Sequence, residues 1–422
     1  MIDLDGHDRA LLAGAAGPAM KLAIELVLRA AAIMRAPSLV PVTFAHIDAC
    51  FYAGQAHVDF ARYLLQHRAR LAVPTWTNNG VVSLANPEIK PVEADREMVE
   101  GARELMHLYE ALGCRPVWTC APYQLPGRPK LGDHIVAGES NAVTFYNSVI
   151  GARTNKYGDY LDVACALVGK APFAGLHTDA GRRAGLLFDT SAVGSRLKRE
   201  DIFYHLLGYH VGRVSGRRVP VIAGLPGDTG EDRQKALSAA AAAAGGVELW
   251  HGAGLTPEAP ALEAVFSVGE RHAVTMADLA AARRELTTGR DGPIAMVALG
   301  TPHFSLSEFA VLVPLIAGRK VKPGLAFYVS TSRFIRDLAA AKGWIAELER
   351  AGVTIVVDVC TYYAPAVRGA TGRVMTNAAK WAYYAPGMLG VEVCFGSLRE
   401  CVESAVRGEV WRDPDLWQGL AA

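Results

Sequence analysis

The chain has 422 residues, 51% of them apolar and 20% charged, which is too long for one ordinary core and long enough for two or three α/β domains. Its 43 Lys and Arg balance 42 Asp and Glu, so no field of one sign is available to gather a polyanion, and nucleic acid is excluded as an expected partner. Acidic residues at Asp3 and Asp5 stand where a signal peptide needs a basic region, and the apolar stretch Ala23 to Met34 is interrupted by Glu25 and Arg29, so the chain reads as cytoplasmic with no membrane partner.

From Asp5 to Ala32 the apolar spacing predicts a short helix, a turn at Gly17-Pro18 and a longer helix. Leu39 to Ala45 and Arg70 to Val73 read as short strands, each followed by polar loop residues: His46-Ile47-Asp48, and Thr75 through Asn78, Asn79 and Gly80. Asp95 to Leu112 is an amphipathic helix closed by Gly113, followed by an apolar segment carrying Trp118 to Tyr123 and a polar loop with Glu139, Ser140 and Asn141. The alanine run Ala239 to Ala244 continues a helix begun near Asp228 and closed by Gly245-Gly246.

In the last third, strands are predicted at Ile294 to Leu299, Leu325 to Val329, Thr354 to Val357 and Val391 to Phe395. They alternate with helices at Ser305 to Ile316, Ile335 to Ala351 and Leu398 to Val406. This alternation predicts an α/β fold with parallel or mixed sheets covered by helices. The Gly-, Arg- and Pro-rich stretch Gly212 to Asp232 is the expected division between a first α/β region, 1–215, and a second, 216–422.

Seven cysteines, at 50, 114, 120, 165, 360, 394 and 401, are too few and odd in number for a secreted disulfide scaffold. Cys120 and Cys360 end β-like segments, where a side chain emerges in fixed geometry. Inert core sulfur and metal ligand are both open readings. His46, His177, His251 and His303 lie in predicted loops without zinc-protease spacing, where a satisfied structural role is the ordinary outcome. Ser330-Thr331-Ser332-Arg333 follows a strand and opens a helix, as an anion site or as a plain N-cap. Lys380 lies in an uncharged stretch, either solvated on a helix face or buried against an anion. No P-loop, dinucleotide fingerprint, nucleophile elbow or HExxH helix is present.

Several segments together resemble the aconitase X family: Trp118-Thr-Cys-Ala-Pro-Tyr123, Glu139-Ser-Asn-Ala-Val143, Asn147-Ser148 through Asn155, His251 through Ala259, Pro302-His303, Thr331-Ser-Arg333 and Asp358-Val-Cys360. The resemblance implies an aconitase-like core of α/β domains and a hydro-lyase acting on a small hydroxy acid. It also implies iron or an iron-sulfur cluster of unspecified nuclearity. Cys120 and Cys360 match the cluster cysteines. Thr301 stands where archaeal relatives place a third cysteine, and a hydroxyl is a far poorer iron ligand than a thiolate. By the same matching Glu139, Ser140 and Lys380 are catalytic, and Asp48, Ala49, Cys50, Asn78, Asn79, Asn141, Ser332 and Arg333 line the substrate pocket.

The resemblance further implies a small swivelling-domain subunit as partner, in a heterodimer or dimer of heterodimers, which supplies a catalytic serine. Two substrates follow: cis-3-hydroxy-L-proline, and mevalonate 5-phosphate. Thr301 and the Trp76-Thr77-Asn78-Asn79 loop look less like the archaeal phosphomevalonate enzymes and favour hydroxyproline. A noncatalytic iron-sulfur scaffold subunit is the alternative of a different class.

Overall fold

A computed structural model describes residues 2–86, 95–363 and 372–417. Three parallel sheets, each wrapped by helices, form the α/β architecture anticipated from the sequence. The first has three short strands in the order Thr75–Thr77, Ala45–Ile47, Val136–Ala137. Helices Pro18–Ile33, Gln55–Gln66, Arg96–Ala111 and Leu161–Val168 surround it. An antiparallel pair, Leu39–Pro41 with Lys170–Pro172, ties its ends together.

The second sheet runs His251–Gly252, Pro220–Ala223, Leu186–Asp189, Glu270–Ala273, all parallel. The third has five parallel strands in the order Thr354–Val357, Ala326–Thr331, Met296–Phe304, Arg373–Thr376, Glu392–Phe395. Its central strand, Met296–Phe304, is buried throughout. A strand covered on both faces explains why this segment reads as an apolar run rather than an alternation.

Several elements depart from their predicted limits for local reasons. The strand expected at Arg70 to Val73 lies instead at Thr75–Thr77, where β-branched and aromatic side chains fill buried pleat positions. The hydroxyls of Thr75 and Thr77 are satisfied there by the carbonyls of Val73 and Arg115. The single helix expected from Ile335 to Ala351 is two, Arg333–Ala341 and Trp344–Ala351, broken at Gly343, whose φ of +76° suits glycine.

Within the stretch Gly212 to Asp232, Gly216 ends helix Asp201–Ser215 and strand Pro220–Ala223 then pairs with Leu186–Asp189, so one sheet takes strands from both sides of residue 215.

The alanine run is buried because two helices approach unusually closely. An added Cβ at Gly208 would lie 2.4 Å from the Leu237 carbonyl oxygen, and one at Gly212 would lie 2.6 Å from that of Ala241. Only glycine on Asp201–Ser215 facing alanine on Glu231–Gly245 permits this spacing. No helix among the described residues is long and apolar enough to cross a membrane.

Candidate active site

Chain segments that are far apart in sequence converge on one buried centre. Cys120 and Cys360, 240 residues apart, place their sulfurs 3.7 Å from each other. That is well beyond a disulfide bond of about 2.05 Å. It is close to the ~3.8 Å separating two thiolates at about 2.3 Å from one tetrahedral ion. Both cysteines follow residues with positive φ, Trp118 at +42° and Asp358 at +72°, conformations a non-glycine residue adopts only when its surroundings hold it there. For Asp358 the hold is visible: Arg333 grips its carboxylate with two hydrogen bonds of 2.7 Å, and the Leu84 backbone N–H adds a third.

The third ligand-type side chain at this centre is His303, near the end of the central strand of the five-stranded sheet. A ring nitrogen of His303 and both sulfurs all lie within 4.8 Å of one another. Its backbone N–H donates to the Cys120 sulfur at 3.4 Å. The ring nitrogens lie 2.9 Å from the Thr119 hydroxyl and 3.3 Å from the Val359 carbonyl, and burial pushes the imidazole down to about 4, which keeps it neutral.

Two cysteines and a neutral histidine form a donor set suited to iron or another borderline metal, so the residues present fit the group the fold family implies. Among the described His, Cys, Asp and Glu side chains, His303 is the one that joins the two thiols. Thr301 is buried two residues earlier, its hydroxyl without a partner among the described residues.

Against this centre lies a buried ion pair. Glu139 is the N-cap of helix Ser140–Phe145, one carboxylate oxygen accepting the Ala142 N–H at 2.6 Å while the other meets the Lys380 ammonium. Lys380 stands in the first turn of helix Ala379–Leu389 and is 3% exposed. It also reaches the Ser140 hydroxyl at 3.3 Å. Burial alone would push Lys380 down and Glu139 up. Their mutual attraction reverses both, leaving the lysine above and the glutamate below its ordinary value. Asn141 spends its amide N–H bonds on the Cys120 carbonyl and the Tyr123 hydroxyl, joining the pair to the thiol loop.

The residues expected from the sequence to line a pocket divide. Asp48 is half-buried beside Gly138, its carboxyl pushed up to about 6 by burial and by nearby Asp159. Asn78 donates to it at 2.5 Å. Ala49 and Cys50 are buried: the Ala49 N–H is held by Asp162, and the Cys50 thiol donates to the Ile47 and Asn78 carbonyls. Asn79 bonds to the Gly80 carbonyl. Ser332 is the N-cap of Arg333–Ala341 and Arg333 is taken up by Asp358, so this turn shapes the approach to Cys360.

Of the other histidines, His46 and His251 bond to the Thr119 and Arg182 carbonyls, and His177 to the Tyr157 hydroxyl. Residues that sequence reasoning passed over are Tyr362 and Tyr363, whose hydroxyls lie 2.6 Å apart just beyond Cys360, and Tyr384, which stacks on Tyr362. Their signal was available in the run Cys360-Thr-Tyr-Tyr363.

Comparison with known proteins gives the family. The aconitase X first, second and third domain families match residues 1–180, 184–284 and 294–407 respectively. The chain belongs to the aconitase X family. Cis-3-hydroxy-L-proline dehydratase of Pseudomonas aeruginosa is 42% identical over 96% of this chain and 70% of its own length. The phosphomevalonate dehydratase large subunit of Thermococcus kodakarensis is 33% identical over 90% of this chain and 94% of its own. The crystal structure of Thermococcus kodakaraensis aconitase X in its holo form superposes with a TM-score of 0.86 at 32% identity, covering 96% of this chain and all of that one. The Pseudomonas and Thermococcus sequence relatives are named as dehydratases, the class of reaction expected from the sequence.

Proposed function

We propose that the chain is the large subunit of a two-subunit hydro-lyase that dehydrates cis-3-hydroxy-L-proline to a pyrroline-2-carboxylate. The observation that carries this reading is the meeting, in one buried site, of the Cys120, Cys360 and His303 donors with the Lys380, Glu139 and Ser140 cluster. In the reaction a proton leaves the carbon bearing the carboxylate, hydroxide leaves the neighbouring carbon, and a double bond forms between the two.

Cys120, Cys360 and His303 would hold iron, alone or within an iron-sulfur cluster, which when bound supplies Lewis acidity toward the departing hydroxyl oxygen. Lys380 and Ser140 donate to the substrate carboxylate and to the enolate-like charge that builds on it, an interaction fixed before reaction and sheltered from water. Glu139 keeps Lys380 protonated and aimed. Asn141 positions the Cys120 loop. The base that takes the proton comes in this reading from a small swivelling-domain partner, a serine by family resemblance. The Thermococcus relative is named as a large subunit, which supports such a partner.

The identities of 42% and 38% to two proteins named cis-3-hydroxy-L-proline dehydratase support the substrate. So does the engagement of cations that a phosphate would need: Arg153 pairs with Asp179 and Arg333 with Asp358. The test is anaerobic purification of the chain with and without its small partner, reading iron content and hydroxyproline turnover on the same sample. The expected result is iron bound by the wild type and lost in Cys120→Ala and Cys360→Ala, with turnover only when the partner is present. Full turnover by the chain alone would remove the two-subunit reading, and a coloured, iron-bearing complex that turns over nothing would favour the noncatalytic iron-sulfur scaffold.

A further inference from the structure

One carboxylate of the site has no cation. Asp48 stands next to Glu139 across Gly138, where an added Cβ would lie 2.7 Å from the Asp48 Cβ. Among the described residues Asp48 makes no ion pair, and its one side-chain bond comes from the Asn78 amide. Its acidic neighbours are already satisfied: Asp162 accepts the backbone N–H groups of Asp48, Ala49 and Val163, and Asp159 pairs with His57.

A second observation is independent of charge. Asn78 is 2% exposed, and its Oδ1 has no hydrogen-bond partner among the described residues. A buried acceptor left unpaired costs about 1 to 3 kcal/mol, so its persistence points to a donor that arrives from outside. Two acceptors thus lie side by side, one of them anionic, against Gly138, whose chain neighbour Glu139 holds the Lys380 ammonium. The half-buried rings of Phe51 and Tyr363, 4.7 Å apart, stand close by as an apolar wall.

We propose that Asp48 and Asn78 form the receptor for a secondary ammonium, one N–H of the substrate nitrogen meeting the Asp48 carboxylate and the other meeting Asn78 Oδ1. The inference rests on the cyclic amino-acid substrate proposed above and explains its selection. A zwitterion matches both charges, its ammonium at Asp48 and its carboxylate at Lys380, whereas a phosphate placed at Asp48 meets like charge.

The test is equilibrium binding of L-proline, which lacks the leaving hydroxyl, and of cyclopentanecarboxylate, which lacks the nitrogen, to the complex of the chain with its partner. The wild type is expected to prefer proline by about tenfold or more, the strength of hydrogen bonds to a charged group. In Asp48→Asn, an isosteric change that leaves an amide facing Asn78, that preference should disappear through loss of proline affinity. Equal binding of the two ligands by the wild type overturns the receptor without needing any variant. Hydroxyproline turnover with an unchanged proline preference in Asp48→Asn overturns the receptor while the reaction stands. Turnover of mevalonate 5-phosphate without proline binding overturns both.

Discussion

An ammonium buried as deeply as that of Lys380 is tolerable only against an anion, and Glu139 is that anion. Lys380→Met should therefore destabilise the fold by roughly 3 to 5 kcal/mol, because it strands a buried carboxylate. The Glu139→Gln/Lys380→Met double variant should recover most of that stability in denaturant melts. Turnover should not recover: both variants are expected to lose about 10²- to 10³-fold in kcat, as when a preorganised donor is removed.

The pH dependence has a definite sign. Glu139, held below its ordinary value, contributes stability above the ordinary carboxylate range and loses it as pH falls through its own lowered value. Lys380, held above its ordinary value, contributes below the ordinary lysine range and loses it as pH rises through its raised value. The gap between wild type and double variant should be level at neutrality and shrink in acid. Asp48 carries the opposite sign. With its carboxyl raised to about 6, ionisation in the folded chain costs stability, so Asp48→Asn should melt higher than wild type above pH 6 and match it near pH 4.

The Lys380 ambiguity, solvated or buried, was legible in the sequence. Its partner, 241 positions away, was not. The third metal donor is the other residue-scale test: Thr301→Val should keep its iron and His303→Ala should lose it.

At the scale of elements, helix Glu231–Gly245 carries the site's support. Its buried Lys235 pairs with Glu308 and donates to the His303 carbonyl at 3.4 Å, where Gln124 donates as well at 3.1 Å. The helix is held in place by Gly208 and Gly212 of its neighbour. Gly212→Ala would put a methyl 2.6 Å from the Ala241 carbonyl and should cost about 1 to 3 kcal/mol, read as a lowered Tm.

Elements with strong local signals were legible. Helix Arg96–Ala111 and strand Thr354–Val357 form where periodicity and caps place them, and Ser305 and Ser397 close capping boxes at their helix starts. The second sheet was not legible. Glu270–Ala273 is a polar edge strand and His251–Gly252 is two residues long. Both exist through pairing with strands distant in sequence rather than through any pattern of their own.

For the whole molecule, the centre is a product of assembly. The first sheet's loops bring Cys120, Glu139 and Asp48. The five-stranded sheet brings His303, Cys360 and Lys380. Helix Asp201–Ser215 buttresses the site, with His205 accepting the Ala379 N–H beside Lys380. No single segment carries a metal-site spacing, so composition and periodicity stop at an α/β enzyme. The family resemblance reaches further because its motifs are the same scattered loops that the fold gathers.

The claim that this centre dehydrates a zwitterionic hydroxyproline is tested most directly by kcat/KM for cis-3-hydroxy-L-proline and for mevalonate 5-phosphate, measured side by side on the anaerobic complex of the chain with its small partner. A strong preference for hydroxyproline, abolished in Lys380→Met, is the predicted result. Preference for the phosphate would contradict it.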